Sequence, residues 1–232
     1  LPNQLSTSKT AVLLFNSTSK QQASIMQLAP NMPAKKVSGL LEVLNSRVRS
    51  LVKKTKLPLF QVEIGKHSDF GSQTHEAYQK LFDLGFESVV GITNDCPALT
   101  IEDILLAATS LKSQQVVLGP AKDGGLYLFG LRKNQLSKQD FTQLNWQSKS
   151  LINGVKETCI TKSVVVLATK ADMDTAADII AVFHLKFEFL SDFFKQIFSF
   201  TQRIVRELTE VRIQLFFKSL SLRAPPMLLI AR

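Results

Sequence analysis

From Val89 to Arg132 the chain reads VVGITNDCPALTIEDILLAATSLKSQQVVLGPAKDGGLYLFGLR, and this order of runs restricts the fold to an α/β sheet. An apolar run (89–92) breaks off in a polar knot, Thr93-Asn94-Asp95-Cys96-Pro97. An amphipathic segment follows, with Thr100 placed as an N-cap and Asp103 three residues on, a short relative of the capping box. A second apolar run (115–119), a second polar knot (121–125) and a third apolar run (126–131) complete the stretch. Asp95 and Asp123 therefore stand just past the C-terminal ends of two strands with buried character. In open α/β sheets that edge is where ligands bind.

The flanking sequence extends the alternation. Residues 11–15 read as a first buried strand, 16–34 as a long polar loop, and 36–54 as an amphipathic helix carrying Val37, Leu40, Leu41, Leu44, Val48, Leu51 and Val52 at helical spacing. A strand at 59–64 and a helix at 72–84 ending at Gly85 come next. A helix near 148–158 and a strand at 163–168 close the pattern. Strands alternating with helices imply a mostly parallel sheet covered on both faces.

Composition narrows the class further. The chain has 232 residues, enough for one α/β domain and an appendage, and two cysteines, which form no disulfide framework or zinc signature. It contains no uncharged apolar run of membrane-spanning length and no apolar signal-peptide centre near residue 1, so the expectation is a cytoplasmic protein with no transmembrane segment. The net charge of +9 divides as +8 over residues 1–60, −3 over 61–184 and +4 over 185–232. The first block holds Lys35, Lys36, Arg47, Arg49, Lys53, Lys54 and Lys56 without an interleaved aromatic, which reads as a solvated helix face and not as a nucleic-acid surface. From 184 to 222 the chain is rich in Phe, with Phe187, Leu190, Phe194, Ile197, Ile204, Leu208, Val211 and Leu215 on a helical stripe widened by further phenylalanines. Residues 185–232 are thus expected as an amphipathic helical extension. Its stripe suits packing on the domain or on a second copy of the chain, or contact with a membrane surface.

The ordered motifs resemble those of a bacterial glycosyltransferase-like family, the radical-SAM/selenodomain-associated transferase type, within the nucleotide-diphospho-sugar transferase (GT-A) superfamily. Family members carry a strand ending in Ser-Asp-Cys/Ser-Pro-Asp-Leu, a helix, and then Val-Val-Leu-Gly-Pro-Ala-x-Asp-Gly-Gly-Tyr-Tyr-Leu. The matching residues are Asn94-Asp95-Cys96-Pro97-Ala98-Leu99 and residues 116–128, with Leu126 at the first tyrosine's place. Trp146 and Asp172-Met173-Asp174-Thr175-Ala176-Ala177-Asp178 match the family's later Trp and Asp-x-Asp-Thr-x-x-Asp. The resemblance runs from about residue 10 to 183. It implies a mostly parallel Rossmann-like (GT-A) sheet over residues 1–184, with 185–232 unexplained by it.

The resemblance further implies metal-dependent transfer from a nucleotide-diphospho-sugar to an acceptor that the sequence does not name. A diphosphate leaving group develops negative charge, which a divalent cation on hard oxygen ligands neutralises; Mg or Mn suits carboxylates. Asp95 takes the first metal position, and Asp172 and Asp174, two apart, share one face if extended. Asp174-Thr175 serves equally as a helix N-cap. Asp123 is the candidate general base, or orients an acceptor hydroxyl. Gly124 and Gly125 would admit close ligand approach, although Asp-Gly is itself a hairpin signal. Asn94 and Trp146 complete the candidate substrate contacts, Trp146 being as well suited to the core.

One family motif departs. After the first strand the family reads Phe-Ala-Lys-x-Pro-x-Pro-Gly-x-Val-Lys-Thr-Arg-Leu-Ala-Pro, whereas residues 15–30 here keep the Phe and Leu-Ala-Pro ends but carry Gln22, Ile25 and Gln27 in place of Gly, Lys and Arg. Such a loop supplies amides and cations to phosphates. Three readings follow: a glycosyltransferase with an altered donor loop, a non-catalytic relative that binds a ligand or partner, and a nucleotidyltransferase.

Overall fold

The computed structural model describes residues 9–16, 32–63, 70–133, 135–146, 148, 150–159, 163–173 and 175–183, with single positions within 23–27 and 188–199. Six strands alternate with helices: β1 Thr10–Asn16, α1 Ala34–Thr55, β2 Leu59–Glu63, α2 Phe70–Asp83, β3 Ser88–Thr93, α3 Ile101–Lys112, β4 Val116–Pro120, β5 Leu126–Arg132, α4 Lys138–Gln143, α5 Leu151–Thr158, β6 Val164–Val166 and α6 Ala176–Phe183. The sheet order is β2-β1-β3-β5-β4-β6. Neighbours are parallel except around β5, which runs antiparallel to both β3 and β4. The expected mostly parallel α/β sheet is present, and the antiparallel strand follows from the short Asp123-Gly124-Gly125 connection, since a parallel return needs a crossover of a dozen or more residues.

The central strands are apolar on both sides because both faces are covered. In β1, Ala11 and Leu13 face one layer while Val12 and Leu14 face the other, all buried. On one side α1 packs on α3 over an aliphatic layer that includes Val48, Val52, Ile104 and Leu111. On the other, α2 packs on α4 over an aromatic layer of Tyr78, Phe82, Phe129 and Phe141. The Tyr78 hydroxyl, fully buried there, donates to Phe129 O at 2.5 Å, which satisfies the one polar atom the ring brings inside. Gly71 lets the start of α2 approach α4: a Cβ at that position would overlap Phe141 O and sit 3.0 Å from the Trp146 indole nitrogen.

Two elements differ from the sequence reading. Helix α4 has no counterpart in the sequence pattern; at six residues it is too short to show periodicity, and it rests on a capping box between Ser137 and Asp140. Strand β6 is only three residues long, after which the chain rejoins β4 through a bridge between Ala121 and Lys170. The Phe-rich stripe and the boundary at 184/185 lie outside the described residues. Among the described residues, no helix is long and apolar enough to cross a membrane.

Candidate functional site

Strands β1, β2, β3, β4 and β6 all point one way, so their C-terminal ends share one edge of the sheet. The chain leaves β1 for β2 on one side and then returns past it to β3 on the other. This reversal between β1 and β3 opens the crevice where α/β sheets take ligands. Phe15 pairs with Thr93, which sets Asn16 beside Asn94 at the mouth of that crevice. The Asn16 Oδ1 atom is buried and has no hydrogen-bond partner among the described residues.

The first polar knot is a buried structure. Asn94 is 2% and Asp95 7% exposed. Asn94 Nδ2 donates to Asn45 Oδ1 of α1 at 2.7 Å, and the Thr93 hydroxyl donates to the Asp95 carboxylate. Leu99 N closes a turn onto Cys96 O at 3.2 Å, and Arg47 reaches from α1 to donate to Leu99 O at 2.7 Å. Arg47, unlike the solvated basic face that the sequence predicts for it, turns inward, where burial lowers its pKa. Lys35, Lys36, Lys53, Lys54 and Lys56 do remain exposed. Burial, and secondarily the charge of Asp95, pushes the Cys96 thiol up to about 12, so it stays protonated and behaves as packing.

Lys170, which the sequence reading did not single out, crosses this edge. Its ammonium pairs with the Asp103 carboxylate, donates to Ala98 O at 2.9 Å and lies 5.4 Å from the centre of the Tyr127 ring. Asp103 simultaneously closes the foreseen capping box, accepting from Thr100 N at 2.8 Å. A bulge brings Tyr127 into the group: Gly119 pairs with Leu128 but Pro120 with Leu126, leaving Tyr127 as the extra residue. An extra residue re-aims a side chain, and here Tyr127 joins Leu128 in the layer under α3. Its hydroxyl donates to Ala168 O at 3.0 Å, and burial raises its pKa. A signal for Lys170 existed only as a lone lysine two residues before Asp172.

The second knot is an exposed hairpin tip. Gly124 takes φ +103°, and Asp123 Oδ1 accepts from Gly125 N at 2.7 Å, leaving the other carboxylate oxygen without a partner among the described residues. Asp172 is 8% exposed on the β6 side of the same edge. Asp174 lies outside the described residues. Thr175 and Asp178 form a reciprocal cap, with Thr175 N to Asp178 Oδ2 at 2.8 Å and Asp178 N to Thr175 Oγ1 at 3.2 Å, so the cap of α6 is Thr175. Trp146 sits on the α2–α4 face, stacked on Phe141 and edge-on to Phe70, with Nε1 donating to Phe141 O at 2.7 Å. It is half-buried beside the start of α2.

The fold thus gathers Asn94 and Asp95 at the switch point, brings Asp172 to the same edge, and holds Asp123, Gly124 and Gly125 on a turn above it; Trp146 stands apart on the other face. Buried Asp95 and Asp172 are hard oxygen donors of the kind Mg or Mn prefers. Among the described residues, no three His, Cys, Asp or Glu side chains are grouped to hold a metal ion.

Residues 40–148 match a family described as an uncharacterized protein conserved in bacteria (DUF2064). No curated protein matches the chain. Among solved structures, a candidate nucleotide-diphospho-sugar transferase from Desulfovibrio desulfuricans G20 superposes with a TM-score of 0.70 at 19% identity, over 84% of this chain and 98% of its own. An Rv0371c homologue from Mycobacterium sp. strain JC1 gives 0.47 at 11% identity, over 76% and 96% of the two chains. Rv0371c from Mycobacterium tuberculosis H37Rv, in complex with manganese, gives 0.41 at 11% identity, over 76% and 98%. The first likeness shows the fold, a mostly parallel α/β sheet flanked by helices; the other two are too distant to add to it.

Proposed function

We propose that residues 1–184 form a glycosyltransferase-like domain that binds a nucleotide-diphospho-sugar at the crevice between β1 and β3 and transfers the sugar to an acceptor. The observation that carries this reading is the buried Asp95 at the switch point, on the same edge as the buried side-chain amide oxygen of Asn16, Oδ1, which has no hydrogen-bond partner among the described residues. The motif resemblance supports the same substrate class. Asp95 and Asp172 would hold a divalent cation, with Asp174 a further ligand; when bound, it offsets the charge of the diphosphate leaving group. Asp123, anchored by Gly125 N, presents its second carboxylate oxygen to an acceptor hydroxyl, from which it takes the proton as the new bond forms. Two buried free thiols, Cys96 and Cys159, suit a reducing cytoplasm. Residues 185–232 are an appended segment whose Phe stripe would meet the domain, a second copy or a membrane.

A second reading, a relative that binds without catalysing, draws on one position. Ile25, where the family carries a lysine, is 1% exposed and belongs to the interior. That position therefore delivers no cation to a phosphate. Titration calorimetry with UDP-, GDP-, CMP- and ADP-sugars, with and without Mn²⁺, separates the two. The transferase reading expects metal-dependent binding that Asp95→Asn abolishes. Absence of binding by every nucleotide sugar at millimolar concentration would overturn it.

A further inference from the structure

We infer that Lys170 is the positioning residue of this site, a strut that locks the three carboxylate-bearing segments to one another. Two of the segments are bonded to it, and the third follows it along the chain. Its ammonium holds the Asp95 knot through Ala98 O and, through Asp103, the start of the helix that follows the knot. Its backbone holds the entry to the Asp123 turn: Lys170 N donates to Pro120 O at 3.0 Å, and Lys122 N donates to Lys170 O at 3.0 Å. Asp172 stands two residues further along the chain, past the bridge that Lys170 makes with Ala121.

The strut is not a phosphate ligand. The Lys170 and Asp103 side chains are 13% and 14% exposed, and the ammonium is already committed to a carboxylate, a carbonyl and an aromatic face. Lysine has three N–H donors and no more. A cation so neutralised holds geometry without adding net charge for a ligand to find. The Tyr127 bulge completes the fit, covering the ammonium with its ring while its hydroxyl fastens Ala168, two residues before the lysine. Positioning groups of this type act on metal affinity by 10–100-fold or so through the ligands they orient.

The test compares wild type with Lys170→Met, Asp103→Asn and, as a core control of the same sheet, Val117→Ala. Amide hydrogen exchange is the first readout. Lys170→Met is expected to speed exchange about tenfold at Leu99, whose amide closes the first knot, and at Lys122, whose amide ties the second knot to Lys170 O, while Val12 in β1 keeps its protection. Asp103→Asn, which keeps a side-chain acceptor for Thr100 but drops the charge, is expected to move the Leu99 amide in the same direction and serves if Lys170→Met does not fold. Unchanged protection at both knots, or a loss spread evenly over the sheet, overturns the strut. Mn²⁺ binding is the second readout and rests on the proposed function: affinity should fall in Lys170→Met but not in Val117→Ala, and equal losses in both overturn positioning. Wild-type protein that takes up no Mn²⁺ while the local exchange changes persist would overturn the metal site and leave the strut standing.

Discussion

The two polar knots look alike as sequence, each a short acidic break after an apolar run, yet they fold into opposite environments. The Asp95 knot ends a parallel strand and leads into a helix, so α1, α3 and Lys170 close over it; the Asp123 knot joins two antiparallel neighbours and stays at the surface. The connection type decides the environment. A crossover must fold back against the sheet and buries what it carries, whereas a hairpin tip projects past the edge. A buried carboxylate with fixed donors suits a ligand that stays in one place, and an exposed one on a turn suits contact with an incoming molecule.

The largest effect expected from this contrast is on turnover. Asp123→Ala should lower kcat about 10²–10⁴-fold if the exposed carboxylate takes the acceptor proton. Its single hydrogen bond to Gly125 is exposed, so stability should change by no more than about 0.5 kcal/mol. Initial rates with a nucleotide sugar, set beside urea unfolding of the same variant, check both halves. A matching loss of stability would mean the turn is structural and would erase the division of labour.

Alkaline pH acts on the buried knot and not on the exposed one. The Cys96 thiol has a pKa pushed up to about 12, so above its ordinary range the folded chain keeps a proton that the unfolded chain releases. The stability this brings is complete below about pH 8.5 and drains away as pH rises towards the folded value, by up to about 1.4 kcal/mol per unit. Tyr78 and Tyr127 are also raised and act in the same direction. Urea midpoints at pH 8, 9 and 10 for wild type and Cys96→Ala isolate the thiol, and parallel curves would mean the knot is wetter than its burial indicates.

Stability should separate the two aspartates as well. Asp95→Ala strips the acceptor from the Thr93 hydroxyl inside the knot, a loss of about 1–3 kcal/mol for a polar group left unpaired. Chemical denaturation of Asp95→Ala and Asp123→Ala side by side measures the gap. Equal midpoints would collapse the comparison.

Much of this site was legible before folding. The apolar runs end so sharply that the strand ends bearing Asn94, Asp95 and Asp123 fall where expected, and Thr100 with Asp103 announces its cap. What was illegible depends on strand order. Lys170 meets Asp103 only because β6 lies against β4, a pairing across 67 residues with no local pattern. Arg47 shares its helix with exposed lysines, and its inward turn follows from Leu99 O lying within reach. Whether an aspartate ends up covered or bare is likewise set by what the chain does next.

The smallest expected effect concerns the turn's backbone. Gly124 holds φ +103°, a region that an L side chain resists at a cost of about 1–2 kcal/mol. Gly124→Ala should therefore lower stability modestly, and thermal unfolding reads it. Its more informative consequence is positional. If the residue relaxes by opening the turn, the Gly125 N–H leaves Asp123 Oδ1, and the carboxylate loses the contact that fixes its direction. Turnover should then fall while nucleotide-sugar binding at the buried knot is unchanged, because Asn94 and Asp95 are held by α1 and the strand end rather than by the hairpin. A Gly124→Ala protein that loses binding and turnover together would show that the two knots form one rigid site, and the contrast between them would have to be redrawn around Lys170, which touches both.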